Sequence, residues 1–163
     1  MNKDTINFYH GGVPSDFTKD DIDVFRLATK QGKHNRNYAG FYMFEEELKN
    51  KAYHYAEQTN LANNTTDKGV IKIELDSDLN IKTFDRLFEI DRLTQEQLLN
   101  YQNEGYDLIK GKSIEGYQYV LLNKDKIENV SFEPINREQE HQRELQAMLE
   151  DDQELVNSIS KSR

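Results

Sequence analysis

The chain has 163 residues, no cysteine, and 30 acidic against 21 basic residues, for a formal net charge of −9. That length suits one domain, and the missing cysteine excludes disulfides, thiolate metal sites and a cysteine nucleophile. The charge disfavours a phosphate backbone or an anionic membrane as the main partner. No apolar run reaches the roughly 18 residues of a membrane helix. The N-terminus lacks the basic and hydrophobic regions of a secretory signal, so a cytoplasmic location is expected.

In INFYHGG, Ile6, Phe8 and His10 alternate with Asn7 and Tyr9, which predicts a strand over residues 5 to 10. Gly11 and Gly12 then either turn the chain or let a ligand approach bare backbone beside His10. The connection LATKQGKHNRNYAG gathers Lys30, Lys33, His34 and Arg36 around Gly32. Two readings stand side by side: a solvated loop, or a holder for a diphosphate or an acidic surface. NYAGFYMF reads as a second strand running straight into a helix in EEELKNKAYHYAEQTNLA. There Leu48, Ala52, Tyr55, Ala56 and Thr59 repeat at helical spacing, and Glu45, Glu46 and Glu47 lie near the positive end of the dipole. GVIKIELD alternates as a half-buried strand and NIKTF is another. TQEQLLNYQNEG predicts a helix from a Thr94 cap to Gly105 at C′. YDLI, YQYVLL and ENVSFE finish the pattern as short strands, giving an α+β domain over residues 1 to 133.

Beyond Pro134, residues 134 to 163 form a charged extension with Leu145, Met148, Leu149, Leu155 and Val156 roughly on one helical stripe. An exposed amphipathic helix is expected, which covers the core, pairs with a partner, or is partly disordered, in that order of preference. No Gly-x-Ser-x-Gly elbow and no Walker or Rossmann glycine loop occurs, and the histidines at 10, 34, 54 and 141 have no metal-site spacing. No metal is therefore expected. Three clusters remain: His10 with its glycines, Tyr42 with Tyr53, and the strand around Gln118.

Taken in order, FYHGG, AGFYMFEEELKNKAYHYA, EGYDLI and GYQYVLLNKDKIENV resemble the ADP-ribosyltransferase superfamily in its His-Tyr-Glu branch, the diphtheria-toxin and poly(ADP-ribose) polymerase side. They are most similar to the small transferase domains of bacteria and phages. The likeness covers roughly residues 5 to 132, and Tyr42 and Tyr53 keep the eleven-residue spacing of the toxin group.

The resemblance implies split antiparallel β-sheets with flanking helices, NAD as substrate, and transfer of a single ADP-ribose to a host or target protein in a toxin, effector or phage setting. His10 would hydrogen-bond the adenosine ribose, and the Gly11 backbone, in the Gly11–Gly12 pair, would clamp the nicotinamide carboxamide. Tyr42 and Tyr53 would pack on the nicotinamide ring, while Lys30, Lys33 and Arg36 would face the diphosphate. The acidic surface favours a basic or neutral protein acceptor over nucleic acid.

Two positions depart from the family pattern. Gly12 stands where Thr or Ser is usual, and Gln118 occupies the place of the catalytic glutamate. An amide keeps the hydrogen bond to the ribose 2′-hydroxyl but loses the charge that favours an oxocarbenium. Glu115 lies three residues upstream, on the opposite face of a regular strand. A catalytically inactive relative that binds NAD, ADP-ribose or a protein is the alternative the same residues allow, and an interaction protein working through its tail is a third.

Overall fold

The computed structural model describes residues 4–30, 36–113, 116–135, 145–146 and 148–149. Lys33, His34, Glu115, Leu155 and Val156, named above, lie outside them. Thr5–Val13 forms β1, longer than the expected strand because Gly11 and Val13 continue the pairing. On one side it runs antiparallel to β5 (Gly69–Asp76), from Thr5 opposite Asp76 to Val13 opposite Gly69. β5 in turn pairs with β9 (Ile127–Glu133). On its other side β1 meets β4 (Tyr42–Glu45) through only two residue pairs, Phe8 with Glu45 and Tyr9 with Phe44. β4 passes the sheet on to β8 (Gly116–Leu121), which is followed by β7 (Leu108–Ser113) and β6 (Ile81–Thr83).

The result is a seven-stranded mixed sheet in the order β6-β7-β8-β4-β1-β5-β9, antiparallel except between β6 and β7. With helices α1 (Lys49–Asn63) and α2 (Gln95–Asn103) it makes an α+β fold.

Side chains sort by strand parity. Phe8, Ile71, Ile73, Leu75, Met43, Tyr119 and Leu121 face one core, closed by Val13 at the end of β1 and by Ile22 and Val24 from the segment after it. Tyr9, Phe44 and Val70 face α1 through Ala52, Tyr53 and Ala56. A third cluster gathers Ile90, Leu98, Ile109, Val120 and Leu122 beneath α2. α2 begins as its sequence predicts: the Thr94 hydroxyl accepts from the Gln97 amide and the Gln97 side chain reaches back, forming a capping box.

Three local expectations need correction. The connection after β1 is not wholly loop, because Leu27–Lys30 (β2) and Arg36–Ala39 (β3) pair as a separate two-stranded ribbon. NYAGFYMF is not one strand but β3 and β4, parted at Gly40. The helix starts at Lys49 after a 3-10 turn over Glu46–Leu48, and its buried aromatic is Tyr53, with Tyr55 exposed. Of the extension, residues 145, 146, 148 and 149 are helical, with Leu145, Met148 and Leu149 exposed.

Candidate functional site

β1 and β4 part after Tyr9, and the side chain of His10 closes the fork between them. Its Nδ1 lies 2.6 Å from the carbonyl oxygen of Tyr42. A carbonyl can only accept, so Nδ1 carries the proton and donates, which leaves Nε2 with a lone pair. The imidazole stacks on Phe41 with centroids 4.0 Å apart, and Phe17 lies beyond Phe41 at 6.4 Å. Burial drives the histidine's pKa down to about 4. The bond to Tyr42 opposes that shift and the nearby positive charge of Arg26 adds to it. His10 is therefore neutral at pH 7, an oriented acceptor and not a cation.

The glycines after it have a packing reason. A Cβ on Gly11 would stand 1.9 Å from the carbonyl oxygen of Ala52, so only glycine lets α1 lie this close to β1. Gly12 has φ +90° and faces the Thr59 hydroxyl, where a Cβ would come within 2.9 Å. The helix thus accounts for glycine at this position. Gly11 and Gly12 remain inside β1 and do not form a free turn.

Tyr42 contributes its backbone to the fork, but its half-buried ring packs in the cluster beneath α2, where the hydroxyl donates to the Ile90 carbonyl at 3.0 Å. Gln118 on β8 lies opposite Gly111 and two residues from Val120, so it shares the sheet face of that cluster with Tyr42. It is half-buried, and no side-chain hydrogen bond joins it to a described residue. His10 reaches the fork from the side of the first core, and Tyr42 and Gln118 stand on the other.

Tyr53 is where the expectation fails. Its ring is 8 % exposed in the α1 cluster with Tyr9, Phe44 and Val70, and its hydroxyl donates to the Glu133 carboxylate on β9. Tyr42 packs instead in the cluster beneath α2, so the two tyrosines belong to different clusters. Lys30 and Arg36 are paired positions at the end of the β2–β3 ribbon. Sequence reasoning missed Arg26, whose carbonyl accepts from the Gly40 amide at 2.7 Å beside the fork.

Among the described residues no group of three or more His, Asp or Glu could hold a metal ion, and no helix is long and apolar enough to cross a membrane. A surface depression lined by Glu57, Asn60, Thr66 and Ile135 includes none of the residues at the fork. Comparison with family models, curated proteins and solved structures returned no match.

Proposed function

We propose that the chain is an NAD-dependent mono-ADP-ribosyltransferase of the His-Tyr-Glu type, with NAD bound at the β1–β4 fork and a protein as acceptor. The observation that carries this reading is the His10–Tyr42 hydrogen bond, which joins two motifs 32 residues apart at the place where the sheet parts. In the reaction the bond between the ribose anomeric carbon and the nicotinamide nitrogen breaks. Its electron pair leaves with neutral nicotinamide, and an acceptor nucleophile closes on the oxocarbenium-like centre and gives up its proton.

His10 suits the part the resemblance gives it. With Nδ1–H spent on Tyr42, Nε2 accepts from a ribose hydroxyl, and burial keeps it neutral so that this lone pair is present at pH 7. Tyr42 enters through its carbonyl, which orients His10, while its ring packs beneath α2. Gln118 accepts from the ribose 2′-hydroxyl and donates no charge to the transition state. Its amide slows the chemical step by about a hundred- to a thousandfold relative to a carboxylate.

That same amide favours the second reading, in which the chain binds NAD or ADP-ribose at the fork without turnover. Nicotinamide release from NAD separates the two when it is measured with and without cell lysate as a source of acceptor, beside Gln118→Glu. Release by the wild type that rises with lysate supports transfer. NAD binding without release, with turnover only in Gln118→Glu, supports the binder. Absence of NAD binding in both proteins rejects the fork as an NAD site.

A further inference from the structure

On the face of the sheet that turns Tyr119 and Leu121 toward the first core, β7 bears two lysines, Lys110 opposite Tyr119 and Lys112 opposite Tyr117. Their ammonium groups converge on one ring. Lys110 Nζ stands 4.5 Å from the Tyr117 centroid and Lys112 Nζ 5.4 Å, and Lys110 also lies 5.7 Å from the Tyr119 centroid. Tyr117 is 36 % exposed. Neither lysine forms an ion pair with a described residue, while the Glu45 carboxylate accepts from the Tyr119 hydroxyl at 3.3 Å.

The carbonyls of both lysines are already engaged. The Phe84 amide donates to that of Lys110 at 2.8 Å and the Phe88 amide to that of Lys112 at 3.0 Å, so a partner strand does not add through them and a ligand must meet the side chains. The second bond belongs to a turn in which Phe88 has φ +66°, a conformation that bulky side chains rarely adopt. Leu87, just before it, is 56 % exposed. This edge of the sheet thus presents two cations, an aromatic ring and an aliphatic side chain.

We propose that the Lys110–Tyr117–Lys112 cluster is a docking surface for an acidic peptide segment of a protein partner. Two positive charges without carboxylate partners, in a chain of −9, are the local complement of such a segment. The ring holds both ammonium groups within the range of cation–π attraction, so they lose less side-chain freedom on binding than free lysines do. A nucleic acid is disfavoured, because its run of phosphates meets the charge of the whole chain with two lysines to offset it here. Tyr117 also offers apolar area that a peptide buries and a free anion does not. The cluster lies on the opposite face of β8 from Gln118, so it does not depend on what binds at the fork.

The test is fluorescence anisotropy of a short labelled peptide of Glu, Asp and Leu with the full-length protein, beside the same peptide carrying Gln and Asn for its acids and a single-stranded oligonucleotide of equal length. The double variant Lys110→Gln, Lys112→Gln is expected to weaken the acidic peptide about tenfold, with the loss shrinking as salt rises. Tyr117→Ala is expected to weaken it about threefold, and Tyr117→Phe, which keeps the ring, hardly at all. Lys49→Gln with Lys51→Gln removes the same charge from α1 and is expected to leave binding near the wild type. An equal loss in that control overturns the proposal, because net charge alone then accounts for binding. Oligonucleotide binding as tight as the peptide's, with the same dependence on Lys110 and Lys112, overturns it in favour of a polyanion surface, and no binding of the acidic peptide by the wild type at low salt overturns it outright.

Discussion

The two sides of β1 are built differently. Toward β5 the strand is paired from Thr5 to Val13, while toward β4 it is held by two residue pairs and then by the His10 side chain. The long ladder can carry glycines that admit α1, because its hydrogen bonds fix the backbone wherever side chains are missing. The short joint leaves room between strands and fills it with a polar group. A sheet that is rigid on one side and parted on the other keeps its core while a buried polar side chain closes the gap.

Breaking the rigid side has the largest expected effect. Gly11→Ala drives a methyl into the Ala52 carbonyl, which is backbone and cannot step aside, so it destabilises by about 3 kcal/mol or more. Urea unfolding reads this directly, and a loss below about 1 kcal/mol would mean that α1 does not lie this close to β1.

The joint is tested by acid. The folded pKa of His10, about 4, lies below its ordinary value of 6.5, so unfolding takes up a proton between those two values. Its contribution is complete above pH 6.5 and falls as the pH drops toward 4, by up to about 3 kcal/mol. The difference in unfolding free energy between wild type and His10→Gln should slope across that window and flatten above it. A difference independent of pH would place the histidine in solvent.

Tyr42→Phe separates the two contributions of one residue. It removes the hydroxyl on Ile90 and keeps the carbonyl on His10, so a loss of about 1 kcal/mol is expected with the acid slope unchanged. Loss of the slope as well would show that the ring and the fork move together.

How much of this was legible depends on how local the cause is. β5 and α2 follow from periodicity and a capping residue within one segment, and both stand where GVIKIELD and Thr94 put them. The β2–β3 ribbon escaped because Leu27–Lys30 is short, with Leu27 exposed, so no alternation marks it. The choice of Tyr53 over Tyr55 as the buried aromatic depends on how far α1 rolls on the sheet, which Gly11 decides from another strand. His10 stood out by its neighbours, yet its partner is a backbone carbonyl that no side-chain pattern announces. Arg26 escaped because its place is set by a hydrogen bond to Gly40 across the ribbon's base, which no local pattern announces.

The most direct measurement of the central claim is an amide NMR titration of the labelled full-length protein with NAD. The account predicts shifts centred on His10, Gly11, Phe41, Tyr42 and Gln118. Saturating NAD that leaves those amides in place, or moves only Glu57, Asn60, Thr66 and Ile135 around the depression at the far end of α1, would contradict it.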